Sequence, residues 1–406
     1  MPPAERPFPG HRPGDPAYRW ISVSLFLAGV ATFALLYAPQ PLLPELAQRF
    51  GVGAATATLS VSVTTLGLGV ALLLAGPGTE LVGRTPLMHA SLFASSLVGI
   101  GCAFAPSWEV LLVLRGLQGF ALAGLPAVAT AYLREEVHPT AAARATGLYI
   151  GGTALGGMSG RLIGGAMGDL TGWRGAFAAI GAVGLACAVV TWLLLPRSQN
   201  FRPVPARAGE VLGTARRVLT DPALLALYGI SGCLMGGFVA VYNAMGFRLA
   251  GPPFSLPLTL ASLVFLTYAV GSFSSSYAGT LADRHGQRVV VPLAILLGLA
   301  GLALTLPGNL IAVLVGLTVF TAGFFAAHGV ASGWVAARAA LGGGGTGQAA
   351  SLYLFAYYLG SSVFGSLSGV AWTGWHWTGV SLMVGGLWVV ALLLGLLLRR
   401  IPRLPG

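Results

Sequence analysis

Twelve apolar stretches, each near 18 residues or longer, follow one another along this chain of 406 residues. Their approximate cores lie at 20–38, 54–75, 87–105, 109–132, 142–166, 175–195, 223–247, 258–280, 289–306, 309–337, 347–372 and 378–398. A helix of that length crosses a hydrocarbon core of roughly 30 Å. Charged residues make up 8% of the chain, against about a quarter in an average soluble domain. A closed barrel is the other structure that lipid permits, but its strands alternate apolar and polar residues over about ten positions. These segments do not alternate. The chain reads as an all-α integral membrane protein with twelve transmembrane helices.

The first segment is expected to remain as a helix rather than serve as a secretion signal, because no small-residue cleavage site follows it and Pro39, Pro41 and Pro44 lead into further spans. Residues 1–19 hold six prolines and are expected to form a disordered tail. The net charge of +11 comes from 22 basic residues, all of them arginine. With the N-terminus inside, 17 fall on cytoplasmic segments and only Arg49, Arg174 and Arg248 fall outside. That asymmetry is the positive-inside rule. It is expected to put both termini of a multi-pass protein in the cytoplasm, and it assigns the basic excess to membrane lipids rather than to nucleic acid. Cys102, Cys187 and Cys233 sit at no metal-ligand spacing and read as small buried hydrophobes; neither a metal nor a cofactor is expected.

A short charged loop occurs twice. Gly76, Glu80, Gly83 and Arg84 recur as Gly279, Asp283, Gly286 and Arg288, with three residues before each acid and two after it. The copies start 203 positions apart, half the chain length. This duplication implies two pseudo-symmetric six-helix bundles, 20–195 and 223–398, related by an axis along the membrane normal. The polar stretch 196–222, with five arginines and four prolines, is the expected cytoplasmic linker, and 399–406 a cytoplasmic tail.

The repeated loop resembles the signature between helices two and three, and eight and nine, of the major facilitator superfamily, and the resemblance extends over the whole chain. The first copy departs at Glu80, where the family usually has Asp, and at Thr85, where it often has a base. In the family the loop steadies the outward-open state by clasping the facing half. A carboxylate there can meet the positive end of a helix dipole, worth about 0.3–1 kcal/mol when exposed. Arg84 or Arg288 can add a charge-assisted hydrogen bond.

Helix five carries Gly147, Gly156, Gly160, Gly164 and Gly165, resembling the superfamily's antiporter signature, with Arg161 where a proline is usual. Glycines at every fourth position from Gly152 to Gly168 form a bare ridge that another helix can approach closely. Gly271, Ser275 and Gly279 of helix eight offer the matching face, which the family brings against helix five across the interface between halves. Arg115-Gly116-Leu117-Gln118-Gly119 resembles the family's Arg-x-x-Gln-Gly motif, whose arginine is implicated in proton transfer. A guanidinium cannot release its proton, so Arg115 is expected to line the cavity with Gln118 and tune a neighbour or bind an anion. A structural hydrogen-bonding role is the alternative.

The helix cores contain no Asp or Glu. His328 is the titratable side chain nearest the middle of a span; it is either the proton carrier or a neutral hydrogen-bonding group. Tyr37, Gln40, Tyr242, Asn243, Tyr357 and Tyr358 are candidates to line the substrate cavity, with Tyr353, Ser361 and Ser362 beside them. Tyrosines among few charges favour neutral or weakly amphipathic compounds, or sugars.

The expected function is secondary active transport by alternating access, exporting small organic compounds, drug-like or sugar-like, in exchange for protons. An importer with the same fold is the first rival. An integral-membrane enzyme is the remote one, since Glu135, Glu136 and His138 form the only tight polar cluster and read as solvated charge. The expected partners are the small-molecule substrate, protons and lipid, and the chain is expected to act as a monomer.

Overall fold

A computed structural model describes residues 9–201 and 208–402, with side chains throughout except at 75–81, 208, 210 and 211. The expectations for Gly76 and Glu80, for the start of the tail and for the middle of the linker therefore lie outside the described side chains or residues.

The described chain is a succession of helices. They are α1 (Pro16–Tyr37), α2 (Leu43–Phe50), α3 (Ala54–Val82), α4 (Arg84–Cys102), α5 (Trp108–Leu122), α6 (Gly124–Glu136) and α7 (Pro139–Leu194). The second series is α8 (Ala208–Thr220), α9 (Pro222–Ala250), α10 (Leu258–Ser262), α11 (Ala269–His285), α12 (Gln287–Leu304), α13 (Leu310–Leu341) and α14 (Thr346–Leu397). Short 3₁₀ turns at Gln40–Leu42 and Leu263–Tyr268 link α1 to α2 and α10 to α11.

Ten of these helical stretches are long and apolar enough to cross a membrane. Two are far too long for one crossing: α7 has 56 residues and α14 has 52. At about 1.5 Å per residue each would exceed 75 Å, more than twice the hydrocarbon thickness. Each contains a reversal, at Gly172 (φ 72°) in α7 and at Trp375–His376 in α14. Ten stretches with two reversals make twelve crossings, as the hydropathy requires.

Local chemistry sets the boundaries. Asp221 accepts the N–H groups of Ala223 and Leu224 at the start of α9, and Asn309 that of Ala312 at the start of α13. Gly83 and Gly286 hold φ of 87° and 86° between spans, a conformation that only glycine adopts freely. They occupy matching places in the duplicated loop. Residues 9–15, expected to be disordered, are pinned instead: His11 donates its N–H to the Glu136 carbonyl at 2.8 Å and accepts that of His138 at 3.0 Å.

The glycine ridge of α7 faces a different neighbour from the one expected. Cβ atoms at Gly152, Gly156 and Gly160 would fall 2.3, 2.2 and 2.5 Å from Phe26 O, Val30 O and Ala34 Cα of α1. The ridge therefore seats α1 within its own six helices. Gly164 meets Ala38 and Pro41, and the far end of the ridge touches the second series, Gly165 against Ser262 and Gly168 against Leu258. Gly147 faces open space. The stripe on α11 likewise turns inward, with Gly271 under Phe325 and Ser275 against Gly329 of α13, while Gly279 is open. Lipid supplies no hydrophobic drive between helices, so each stripe acts where backbones can close on each other. That was the neighbour in the same bundle.

Candidate functional site

Bonds between the two sets of six helices gather where α1 ends and α3 begins. The Gln40 amide donates to Asn243 Oδ1 at 2.7 Å, and Asn243 donates to the Gly365 carbonyl at 3.2 Å. Gln40 and Asn243 are 203 positions apart, the offset of the duplicated loop, so they are equivalent residues meeting across the pseudo-twofold axis. Both are fully buried. Along α3 and α14, Ser362 donates to the Ser62 carbonyl at 2.8 Å, Ser362 and Thr65 hydroxyls meet at 2.8 Å, and Thr58 reaches the Ser366 carbonyl.

Asp169 of α7 closes the same end. It accepts the N–H groups of Leu258 and Thr259 at 3.1 and 2.7 Å and the Thr259 hydroxyl at 2.6 Å. A carboxylate on the opening turn of a helix contributes about 1 kcal/mol, which corresponds to about a fivefold change in a two-state population. Asp169→Ala should therefore raise the rate at which a water-soluble maleimide labels a Ser262→Cys variant in detergent about fivefold. Equal labelling rates would show that this contact does not hold the two bundles together.

Beneath that contact sits Arg161, 1% exposed. Its Nε donates to Gln40 Oε1 and its Nη1 to the Gly157 carbonyl. The guanidinium lies over three rings, Tyr37 at 4.1 Å, Tyr268 at 4.6 Å and Phe265 at 5.0 Å. Cation–π contacts of this kind contribute about 0.5–1 kcal/mol when exposed and about 2 when desolvated. Tyr37, Gln40 and Arg161 come from the first bundle, and Phe265, Tyr268 and Asn243 from the second. Sequence reasoning missed Phe265 and Tyr268; the available signal was a polar ring ten residues inside a span.

Arg115 does not line a cavity with Gln118. It is 0% exposed and donates to the carbonyls of Leu35, Leu36 and Ser60 at 3.0, 2.6 and 3.0 Å, and to Gln118. Gln118 passes the chain on to the Ser95 carbonyl at 2.9 Å. Leu35 is four residues before Pro39, which has no N–H to offer its carbonyl. Arg115 thus completes the C-terminus of α1, where the helix dipole also favours a cation.

On the second bundle, His328 of α13 accepts or donates through Nδ1 to Tyr353 Oη at 2.9 Å and lies 4.8 Å from the Tyr357 ring. Tyr357 and Tyr358 pack edge-on at 5.1 Å. Tyr242 shares its hydroxyl with Thr267 and Thr321. Rings run on continuously from Tyr268 through Phe325 and Phe324 to His328. The candidate lining residues of both halves therefore converge on one aromatic wall, with Arg161 at its closed end.

The charged loops lie at the other end. Arg84 pairs with Glu135 of its own bundle at 3.0 Å. Asp283 is exposed and makes no hydrogen bond or ion pair among the described residues. Arg288 donates to the carbonyls of Arg399 and Ile401. The Glu135–Glu136 cluster is not solvated charge: Glu136 is buried and accepts from the Ser198 hydroxyl and the N–H groups of Gln199 and Asn200. It ties down the chain as it leaves α7.

Residues 25–365 match the family model described as Major Facilitator Superfamily. The chain is 41% identical to an uncharacterized MFS-type transporter, YybF, of Bacillus subtilis over 97% of both chains. It is 42% identical to the inner membrane transport protein YnfM of Escherichia coli, over 95% of this chain and 92% of that one. Among solved structures it resembles a bacterial homolog of the human lysosomal transporter Spinster in an inward-facing, unoccupied conformation. That likeness has a TM-score of 0.79 at 16% identity, covering 96% of this chain and 98% of that one, and it bears on fold alone. With twelve crossings in two matching bundles and a family match over most of its length, this chain is a transporter of the major facilitator superfamily.

Proposed function

We propose that the chain works by alternating access, carrying small organic compounds out of the cell in exchange for protons. The observation that carries this reading is the distribution of contacts. Cross-bundle bonds gather at one end, around Gln40, Asn243, Asp169 and the start of α3, while at the other end Asp283 is exposed and meets no partner among the described residues. With both termini in the cytoplasm of an inner membrane, as the arginine asymmetry supports, this is the inward-facing state. The bundles 20–195 and 223–398 then rock as units about the Gln40–Asn243 contact, and the segment 196–222 links them. The switch closes when the loop around Glu80 and Asp283 clasps the facing half and the Asp169 contact breaks. Compounds enter between the aromatic wall and Arg161, near mid-membrane as in other transporters of this architecture. The glycine pattern on α7 supports efflux. A single chain contains both halves of the site, which supports a monomer as the working unit.

Arg161 and Arg115 cannot surrender a proton. His328, held by Tyr353 and half-buried beside the wall, is the group best placed to carry one. In vesicles reconstituted with the full chain and loaded with a pH dye, each transported dye or sugar should drive a change in internal pH. His328→Gln should flatten the pH dependence of that flux. An unchanged profile would remove His328 from the coupling, and flux that an uncoupler leaves untouched would remove protons altogether.

A further inference from the structure

Among the described residues three arginines are buried, and they are not equivalent. Arg115 is satisfied by three backbone carbonyls and Gln118, and Arg248 by the carbonyls of Thr305, Leu306 and Pro307. Each closes a helix end. Arg161 closes none. Among the described residues no carboxylate pairs with it, and its Nη2 donates to nothing. Two hydroxyls of its cage, Tyr37 Oη and Tyr268 Oη, also lack any hydrogen-bond partner, although the residues are only 4% and 8% exposed.

A permanent cation at the middle of a membrane protein is expensive unless an anion answers it. The rings of Tyr37, Tyr268 and Phe265 shield its faces, and with Nε on Gln40 and one Nη1 N–H on Gly157 only the Nη1–Nη2 edge of the fork is left with N–H groups to offer. A carboxylate matches that edge in shape, accepting two parallel N–H bonds, and can also accept from a phenol hydroxyl. From there the half-buried rings of Phe325, His328 and Tyr357, backed by Phe324, offer surface to the rest of a molecule.

We infer that Arg161, with Tyr37 and Tyr268, is the carboxylate-binding end of the substrate site, and that the transported compounds are small organic acids with an apolar or aromatic body. This rests on the transporter reading and narrows its substrate class. Because the cage draws residues from both bundles, an acid seated there contacts both and biases the equilibrium between the two access states.

Matched acids and amides test it on the purified full chain in detergent: benzoate against benzamide, and indole-3-acetate against indole-3-acetamide. Wild type should bind at least one acid about tenfold more tightly than its amide, the scale of a charge-assisted hydrogen bond. Arg161→Gln, which keeps an amide beside Gln40, should bring that ratio to about one, while Tyr268→Phe, which keeps the ring, should lower acid affinity about three- to tenfold. Its melting temperature without ligand should stay at the wild-type value, so the Tyr268→Phe result stands even where Arg161→Gln does not fold. Acids that bind no better than amides in wild type overturn the assignment, as does a folded Arg161→Gln protein that keeps the preference. Vesicle flux separates the two readings. Neutral dyes that cross with no preference for acids would leave the transporter and remove the carboxylate site. Acids that bind as expected but never cross would do the reverse.

Discussion

Replacing Arg115 with leucine is expected to remove the folded protein, with no partly active form left to measure. The guanidinium answers the carbonyls of Leu35 and Leu36 at the end of α1 and of Ser60 on α3, in a place with no access to water. Leu35 has no alternative, because its partner along the helix would be the nitrogen of Pro39. Each buried carbonyl left unpaired costs about 1–3 kcal/mol, so three of them approach the entire stability of an ordinary domain, about 5–15 kcal/mol. Arg115→Lys should fall between, since an ammonium keeps the charge but not the fork that spans two helices. Fluorescence-detected size-exclusion chromatography reads this directly. A monodisperse Arg115→Leu peak with lost transport would instead place the residue in the transport machinery.

Gly156→Leu is expected to be nearly as damaging, and for the opposite reason. A Cβ at Gly156 would stand 2.2 Å from Val30 O and 2.6 Å from Val30 Cα, so the obstruction is backbone and cannot rotate away. Overpacking of this kind costs about 1–3 kcal/mol for modest insertions, and a leucine pushes α1 bodily off α7. Since α1 carries Tyr37 and Gln40, the displacement would also dismantle the Arg161 cage. The internal control is Gly147→Leu, on the same helix but facing open space, which should change the melting temperature little. Equal tolerance of the two substitutions would mean that α1 and α7 are not locked together at Gly156.

The number of spans was legible because lipid forces every backbone group to be satisfied within its own helix, which leaves long apolar runs as the only solution. The duplication was legible too, and it reached further than the loops: the same offset joins Gln40 to Asn243, two candidates chosen only for their polarity. Helix rotation was not legible. A bare glycine face says that something comes close without naming it: α1 proved to be the neighbour along most of the ridge, and helix eight, the one expected, meets only its Gly165–Gly168 end. Arg115 illustrates the same gap. A guanidinium in a span reads equally as a cavity ligand or as a cap, and only the position of Pro39 relative to Leu35 decides. Phe265 and Tyr268 were hidden by their ordinary setting in an apolar run.

Gly172 and Trp375 carry a final implication. They too are 203 positions apart, and at each the chain turns back with almost no connecting loop. The fifth and sixth crossings, and the eleventh and twelfth, are thus continuous rods folded once. Such pairs have to enter the bilayer together during synthesis, and the surface above them offers no strand for a protease to cut or for an epitope to be spliced into.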